Sequence, residues 1–321
     1  MLRASQFREV IIVGSGAAAC TAAIYTARAG LDTLVVEGNV PGGALMAAGQ
    51  VDNYPGFSTP VRGPSLAHAM RAQACRFGAD FHGGDVDGFA LEGGVKSVAV
   101  NDDVFHATAV ILAMGSVNRS LCVPGERQLR GRGVSVSAKR DGDRFAGREV
   151  AVVGGGDAAA EEALYLATLA RRVTVIHHQP RLRASTGTVA RLRAQPNVVV
   201  LQSTQVLEIR GQHHVTGLRV RNGDTVCDID LDAVFVAIGQ TPNSSSLAEL
   251  IDLDARGYVI TRDKSTHTHV DGVFAAGDLI DRRYRQGVTA AASGCRAALD
   301  VQRWLTQSFS TTTNVTFRKD N

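Results

Sequence analysis

Two glycine-rich turns, each set between an apolar strand and an Ala-rich helix, predict an α/β fold with two Rossmann-like dinucleotide-binding units in this 321-residue chain. Gly14-Ser-Gly16-Ala-Ala-Ala19 is the first turn, and Gly154-Gly-Gly156-Asp-Ala-Ala159 repeats the pattern 140 residues later. Length agrees with two units, since about 150 residues per domain leaves room for two cores.

The elements follow in order. Glu9–Val13 is a short buried strand, and Gly14 permits the tight turn after it. Gly16 lets a pyrophosphate approach the helix N-terminus, where unpaired N–H groups point, and Ala19 keeps helix and strand close. The helix runs to about Gly30, and Thr33–Glu37 forms the second strand. Glu37, 23 residues after Gly14, places a carboxylate where ribose hydroxyls can donate to it. In the second unit Glu149–Val153 is a strand, Glu161–Ala170 a helix and Arg172–Ile176 the next strand. Two similar strand-plus-turn segments, Ala109–Gly115 and Ala233–Gly239, carry the chain between domains. Gly272–Asp278 is a strand that delivers an acid to its end, followed by Tyr284-Arg-Gln-Gly287 and a helix over Val288–Leu305. An acid so placed can bind a ribityl hydroxyl and, with the next helix N-terminus, the anionic edge of a flavin. The Ser/Thr-rich tail, Gln307–Asn321, is expected to fray. Two dinucleotide sites imply hydride transfer between two cofactors, the alternative being one working site and one relic.

Composition narrows the class. With 45% hydrophobic and 20% charged residues the chain is globular, and 34 basic against 31 acidic residues give a surplus too small to argue for nucleic acid. No apolar run approaches the ~18 residues of a membrane span, and residues 1–10 lead into a strand without a signal-peptide core. A cytoplasmic protein with no membrane partner is expected. The five cysteines are scattered, Cys75 and Cys122 being nearest at 47 residues apart, so no metal-ligand pair is present and no metal is expected. The sequons at Asn243 and Asn314 are read as chance matches.

The segments GSGAAACTAAIYTARAG, VDNYPGF, VAVVGGGDAAAEEALYLATLA, IGQTPN and GVFAAGDLIDRRYRQGVTAAASGCRAALD resemble the low-molecular-weight thioredoxin reductases over nearly the whole chain. The resemblance implies a discontinuous FAD domain, residues 1–117 and 245–321, with an NAD(P)-type domain, 118–244, inserted into it. It implies FAD contacts at Gly14, Gly16, Ala19, Glu37, Gly43, Asn53, Gly277, Asp278, Arg285 and Gln286, and a homodimer. Nicotinamide contacts would be Gly154, Gly156, Asp157, His177 and Arg183. Ala44 departs from the family's usual Gln.

Two further departures touch the chemistry. Where the family carries V-S-x-C-A-x-C-D-G, this chain reads Val134-Ser-Val-Ser137-Ala-Lys-Arg140-Asp141-Gly142. Serine forms no disulfide, so dithiol exchange at this position is not expected. Ser137, Arg140 and Asp141 become the catalytic candidates; Asp141 is either a proton donor or acceptor, or a turn residue. Lys139 and Arg140 either draw in an anionic substrate or sit as solvated charges. After Ile176 the chain reads His177-His178-Gln179-Pro180-Arg181-Leu-Arg183, without adjacent arginines and without an acid, so weak or absent NADPH binding is expected. His177 and His178 are read as surface residues, with a flavin-facing base as the alternative, while Tyr54 and Cys295 are read as packing.

On these grounds the expected function is an FAD-dependent oxidase or dehydrogenase of a small or carrier-tethered substrate in specialised metabolism. The alternatives are an NAD(P)H-dependent reductase passing electrons to ferredoxin, flavin or a small disulfide, and a non-catalytic FAD-binding partner protein.

Overall fold

The computed structural model describes residues 7–312, in two compact units: 7–117 with 241–312, and 118–240. In the first unit the parallel strands stand in the order Asp80–His82, Thr33–Val36, Phe7–Val13 and Asp103–Leu112. The last of these is long enough to serve two neighbours on one edge. Val110–Leu112 pairs in parallel with Val273–Ala275, and residues 103–107 pair antiparallel with Lys96–Val100, which pairs in turn with Val86–Ala90.

Successive residues of Phe7–Val13 face opposite sides, and both sides are covered. Val10 and Ile12 pack with Ala19, Ala22 and Ala23 of helix Ala17–Arg28 and with Val301 and Leu305 of helix Gly287–Thr312. Ile11 and Val13 pack on the other side with Val98, Val100 and Leu279. The two helices meet backbone to backbone: a Cβ on Gly294 would lie 2.0 Å from the Ala18 carbonyl oxygen. The second unit repeats the parallel plan in the order Val134–Ser135, Ala233–Val236, Glu149–Val153, Arg172–Ile176 and Val198–Leu201. An antiparallel sheet of Thr204–Arg210, Gly217–Asn222 and Thr225–Asp230 follows.

Two helices differ in extent from the sequence expectation. The helix after the second turn is Asp157–Ala167, beginning directly at the turn because its first N–H groups belong to the turn's geometry. The last helix extends to Thr312, so residues expected to fray continue its hydrogen-bonded ladder. The remaining tail and the Asn314 sequon lie outside the described residues. Among the described residues no helix is long and apolar enough to cross a membrane.

Candidate functional site

The two glycine-rich turns share one stereochemistry. Gly14 has φ +121°, and a Cβ there would lie 2.2 Å from the Ala113 carbonyl oxygen; Gly154 has φ +151°, and its Cβ would lie 2.3 Å from that of Ala237. Both glycines are demanded by the fold. Gly16 and Gly156 are different. Their backbones are ordinary and extended, at φ −76° and −94°. A Cβ on Gly16 would meet only Gly43 Cα at 4.0 Å, and one on Gly156 would meet nothing within 4 Å. No side chain caps either of the helices that begin there. The space a Cβ would take is a cradle beside unpaired helix N–H groups, which fits a pyrophosphate.

Around the first turn, Ser15 Oγ donates to the Glu37 carbonyl (2.8 Å) and accepts from Gly42 N (3.0 Å). This tie holds Gly43 against the turn, where a Cβ on Gly43 would lie 2.9 Å from Gly16 Cα. Glu37 has a side chain only 9% exposed, and Arg71 grips it in a fork, Nε to Oε2 at 3.0 Å and Nη2 to Oε1 at 3.1 Å. Each carboxylate oxygen keeps a lone pair for a ribose hydroxyl. Arg71, which also lies 4.3 Å from the Phe81 ring centroid, was not singled out in the sequence. Ala19 is fully buried behind the turn and packs in the core.

The other residues implied for FAD lie in the same unit. Asn53 Nδ2 donates to Gln286 Oε1 at 3.2 Å, and Gly277 N donates to Ser293 Oγ at 3.0 Å. Arg285 adopts φ +50°, and Asp281 accepts from the backbone N–H groups of Arg283, Tyr284 and Arg285. Burial, reinforced by Asp281, pushes the Asp278 carboxyl up to about 6, against the opposing pull of Arg285 and a bond from Ser116.

The second turn opens on a cavity of about 500 Å³, lined by Gly154, Ile176, His177, His178, Gln205 and Arg221 among others. His177 corrects the sequence expectation: it is 2% exposed and belongs to the interior. Its ring occupies the space beside Gly155, where a Cβ would lie 2.3 Å from Cε1 and Nδ1. Burial, aided by His178 and Arg183, pulls its pKa down, and Nε2–H donates to the Arg181 carbonyl at 3.1 Å. The loop beyond it is clipped to the turn. Arg183 N and Ala184 N donate to the Gly155 carbonyl, at 2.6 and 3.1 Å, and Ser185 N donates to Asp157 Oδ1 at 2.8 Å. Asp157 therefore positions the loop.

The three catalytic candidates form a closed network in the second unit. Asp141 Oδ2 accepts from Ser135 Oγ (2.5 Å), Arg140 Nη2 (3.0 Å) and Arg140 Nε (3.2 Å). Burial alone would raise the Asp141 carboxyl, but the bonds from Arg140 and Ser135 outweigh it and hold the group below its ordinary range. It is an ion-paired acceptor, neither a ready proton donor nor a cap on the short helix Ala138–Asp141 or the turn that follows. Arg140 is paired, and Ser137 N donates to Ser135 Oγ at 3.1 Å.

Two dinucleotide-type units, each with an open cradle at its turn, are the plan of a two-cofactor flavoprotein, and the chain belongs to the pyridine nucleotide-disulphide oxidoreductase family, whose profile matches residues 8–294. Its relatives include the thioredoxin reductase of Mycolicibacterium smegmatis, 50% identical over 303 residues, which span 93% of this chain and 97% of that one. The thioredoxin reductase of Streptomyces coelicolor is 44% identical over 305 residues, 94% of this chain and 95% of that one. The crystal structure of thioredoxin reductase from Streptococcus pyogenes MGAS5005 shares the fold with a TM-score of 0.85 and 35% identity, covering 94% of this chain and 99% of that chain. These likenesses overturn the oxidase or dehydrogenase reading, because the whole chain follows reductases and not only its fold. They also remove support for a failed nicotinamide site: the family is defined by pyridine nucleotides, and its match spans the second turn.

Proposed function

We propose that this chain is an NAD(P)H-dependent flavoprotein reductase that delivers electrons to a disulfide acceptor. The observation that carries it is the pair of open cradles at Gly16 and Gly156, one per unit, which the fold itself does not require. Gly16, Gly43, Glu37, Asn53, Asp278, Arg285 and Gln286 would hold FAD, and the second turn with its cavity would hold the nicotinamide dinucleotide. Bound together, the two cofactors supply hydride transfer and relay of an electron pair, so that NAD(P)H, one proton and one disulfide give NAD(P)⁺ and two thiols.

Glu37, fixed by Arg71, orients a ribose by accepting hydrogen bonds from its hydroxyls. Asp278, whose carboxyl burial pushes up to about 6, adds an acid to the same unit. The relatives named as thioredoxin reductases support a disulfide as the acceptor class. Because the sequence holds no Cys-x-x-Cys, with Ser137 and Arg140 at that position, the disulfide reduced is the acceptor's own. Following the resemblance, we place the protein as a homodimer in the cytoplasm.

The test is anaerobic. NADPH and NADH are added separately to the flavin-loaded protein and the visible flavin absorbance is followed, then an oxidised disulfide is added. Bleaching by a nicotinamide and recovery on adding the disulfide are expected. Flavin that neither dinucleotide reduces overturns the reading.

A further inference from the structure

We propose that Arg221, on the antiparallel sheet of the second unit, selects a 2′-phosphorylated dinucleotide, so that phosphate recognition comes from this sheet and not from the loop after strand Arg172–Ile176. The inference rests on the reductase reading above. In a Rossmann unit the adenosine ribose lies at the carboxyl end of the second strand, where an acid selects a free hydroxyl and a cation selects a phosphate. Here that strand ends in His177 and His178, and residues 177–185 contain no acid. The His177 ring is committed to Gly155 and the Arg181 carbonyl. Arg181 and Arg183, the two arginines of the loop, do not line the cavity, whereas Arg221 does.

The backbone explains how a residue so distant in sequence arrives there. His177 N donates to the Leu201 carbonyl (2.9 Å), Thr204 N to the His177 carbonyl (2.9 Å), and Ser203 N to the Gln179 carbonyl (3.1 Å). Asn222 Nδ2 adds a bond to the Gln202 carbonyl at 3.1 Å. The antiparallel sheet is thus stitched over the end of the parallel strand, and its cross-strand partners Gln205 and Arg221 form part of the cavity wall. Arg219, two residues earlier on the same exposed face, is neutralised by Asp228 at 2.9 Å and Glu208 at 3.3 Å. Among the described residues no carboxylate lies within ion-pair distance of Arg221. Its Nη2 donates to Gln205 Oε1 at 2.7 Å, which steadies the guanidinium and leaves its other donors for an anion. A planar, permanently charged fork suits a phosphate.

The experiment compares adenosine 2′,5′-bisphosphate, 5′-AMP and inorganic phosphate by calorimetry on the flavin-loaded protein. The proteins are wild type, Arg221→Ala and the double variant Arg181→Ala/Arg183→Ala. Arg221→Ala is expected to weaken the bisphosphate roughly 10- to 100-fold and leave 5′-AMP unchanged, as loss of a charge-assisted contact requires. The double variant is expected to keep the preference. Equal weakening of both nucleotides, no weakening, loss of preference in the double variant, or inorganic phosphate binding as tightly as the bisphosphate would each overturn the proposal. If wild type binds 5′-AMP without preferring the bisphosphate, this inference fails while the reductase reading stands. If it binds neither nucleotide and neither NADPH nor NADH, both fall.

Discussion

His177 stands where Gly155 would carry a side chain, its ring atoms Cε1 and Nδ1 each 2.3 Å from the position of a Cβ on that glycine. One residue at the end of a strand thereby packs directly against the glycine-rich turn. Gly155→Ala should overpack this site and destabilise the protein by about 1–3 kcal/mol, measured by urea unfolding. Adding His177→Ala should recover part of the loss. Strictly additive effects in the double variant would contradict direct packing.

The first and second glycines of each turn should fail in different ways. Gly14→Ala meets the Ala113 carbonyl and should leave insoluble protein. Gly16→Ala meets open space and should give a folded protein, by circular dichroism, that purifies without flavin. Gly156→Ala should keep its flavin while its affinity for NADPH drops by about tenfold or more. Full flavin occupancy in Gly16→Ala would show that the cradle is not used.

Asp278 predicts a pH dependence for the flavin-free protein. Its carboxyl is raised from 3.8 to about 6 in the fold, so the native state holds the proton longer than the unfolded chain. Stability then falls as pH rises through that window, by a contribution on the order of 3 kcal/mol, and is flat above it. Asp278→Asn should melt higher than wild type at pH 8, and the difference should close towards pH 4. A gap independent of pH would assign the effect to something other than this ionisation.

Thiol reactivity should divide by burial. Burial, reinforced by the Glu37 charge, pushes the Cys20 thiol up to about 12 despite Arg71. Iodoacetamide at pH 8 should modify exposed Cys75, Cys122 and Cys227 in the native protein and spare Cys20, as read by mass spectrometry. Early labelling of Cys20 would mean that the helix bearing it opens.

Both βαβ cores were legible because parallel strands buried on two faces are continuous apolar runs, and glycine marks the turns that follow them. Glu149–Val153 and Arg172–Ile176 lie where the sequence places them. The antiparallel strand Thr225–Asp230 is almost wholly exposed and carries no such run, so it left little signal. Arg71 escaped notice because its partner Glu37 is 34 residues away and only the fold joins them. Nothing about a histidine after a strand says which way its ring turns. The available hint was Gly155, a middle glycine with no duty in the Gly-x-Gly-x-x-Ala pattern. The oxidase reading went astray by weighting two substituted positions, Ser137 and Arg140, above a likeness that runs the length of the chain.

Helix Ala17–Arg28 reaches its final packing only against helix Gly287–Thr312, whose Gly294 fits the Ala18 carbonyl. These partners lie far apart in the sequence. Residues 118–240 are contiguous and complete in sequence long before the last helix emerges. The second unit can therefore complete its core from one stretch of chain, while the first needs both of its segments. A chain cut before residue 287 is expected to leave the alanine face of helix Ala17–Arg28 uncovered and to aggregate, which light scattering would read.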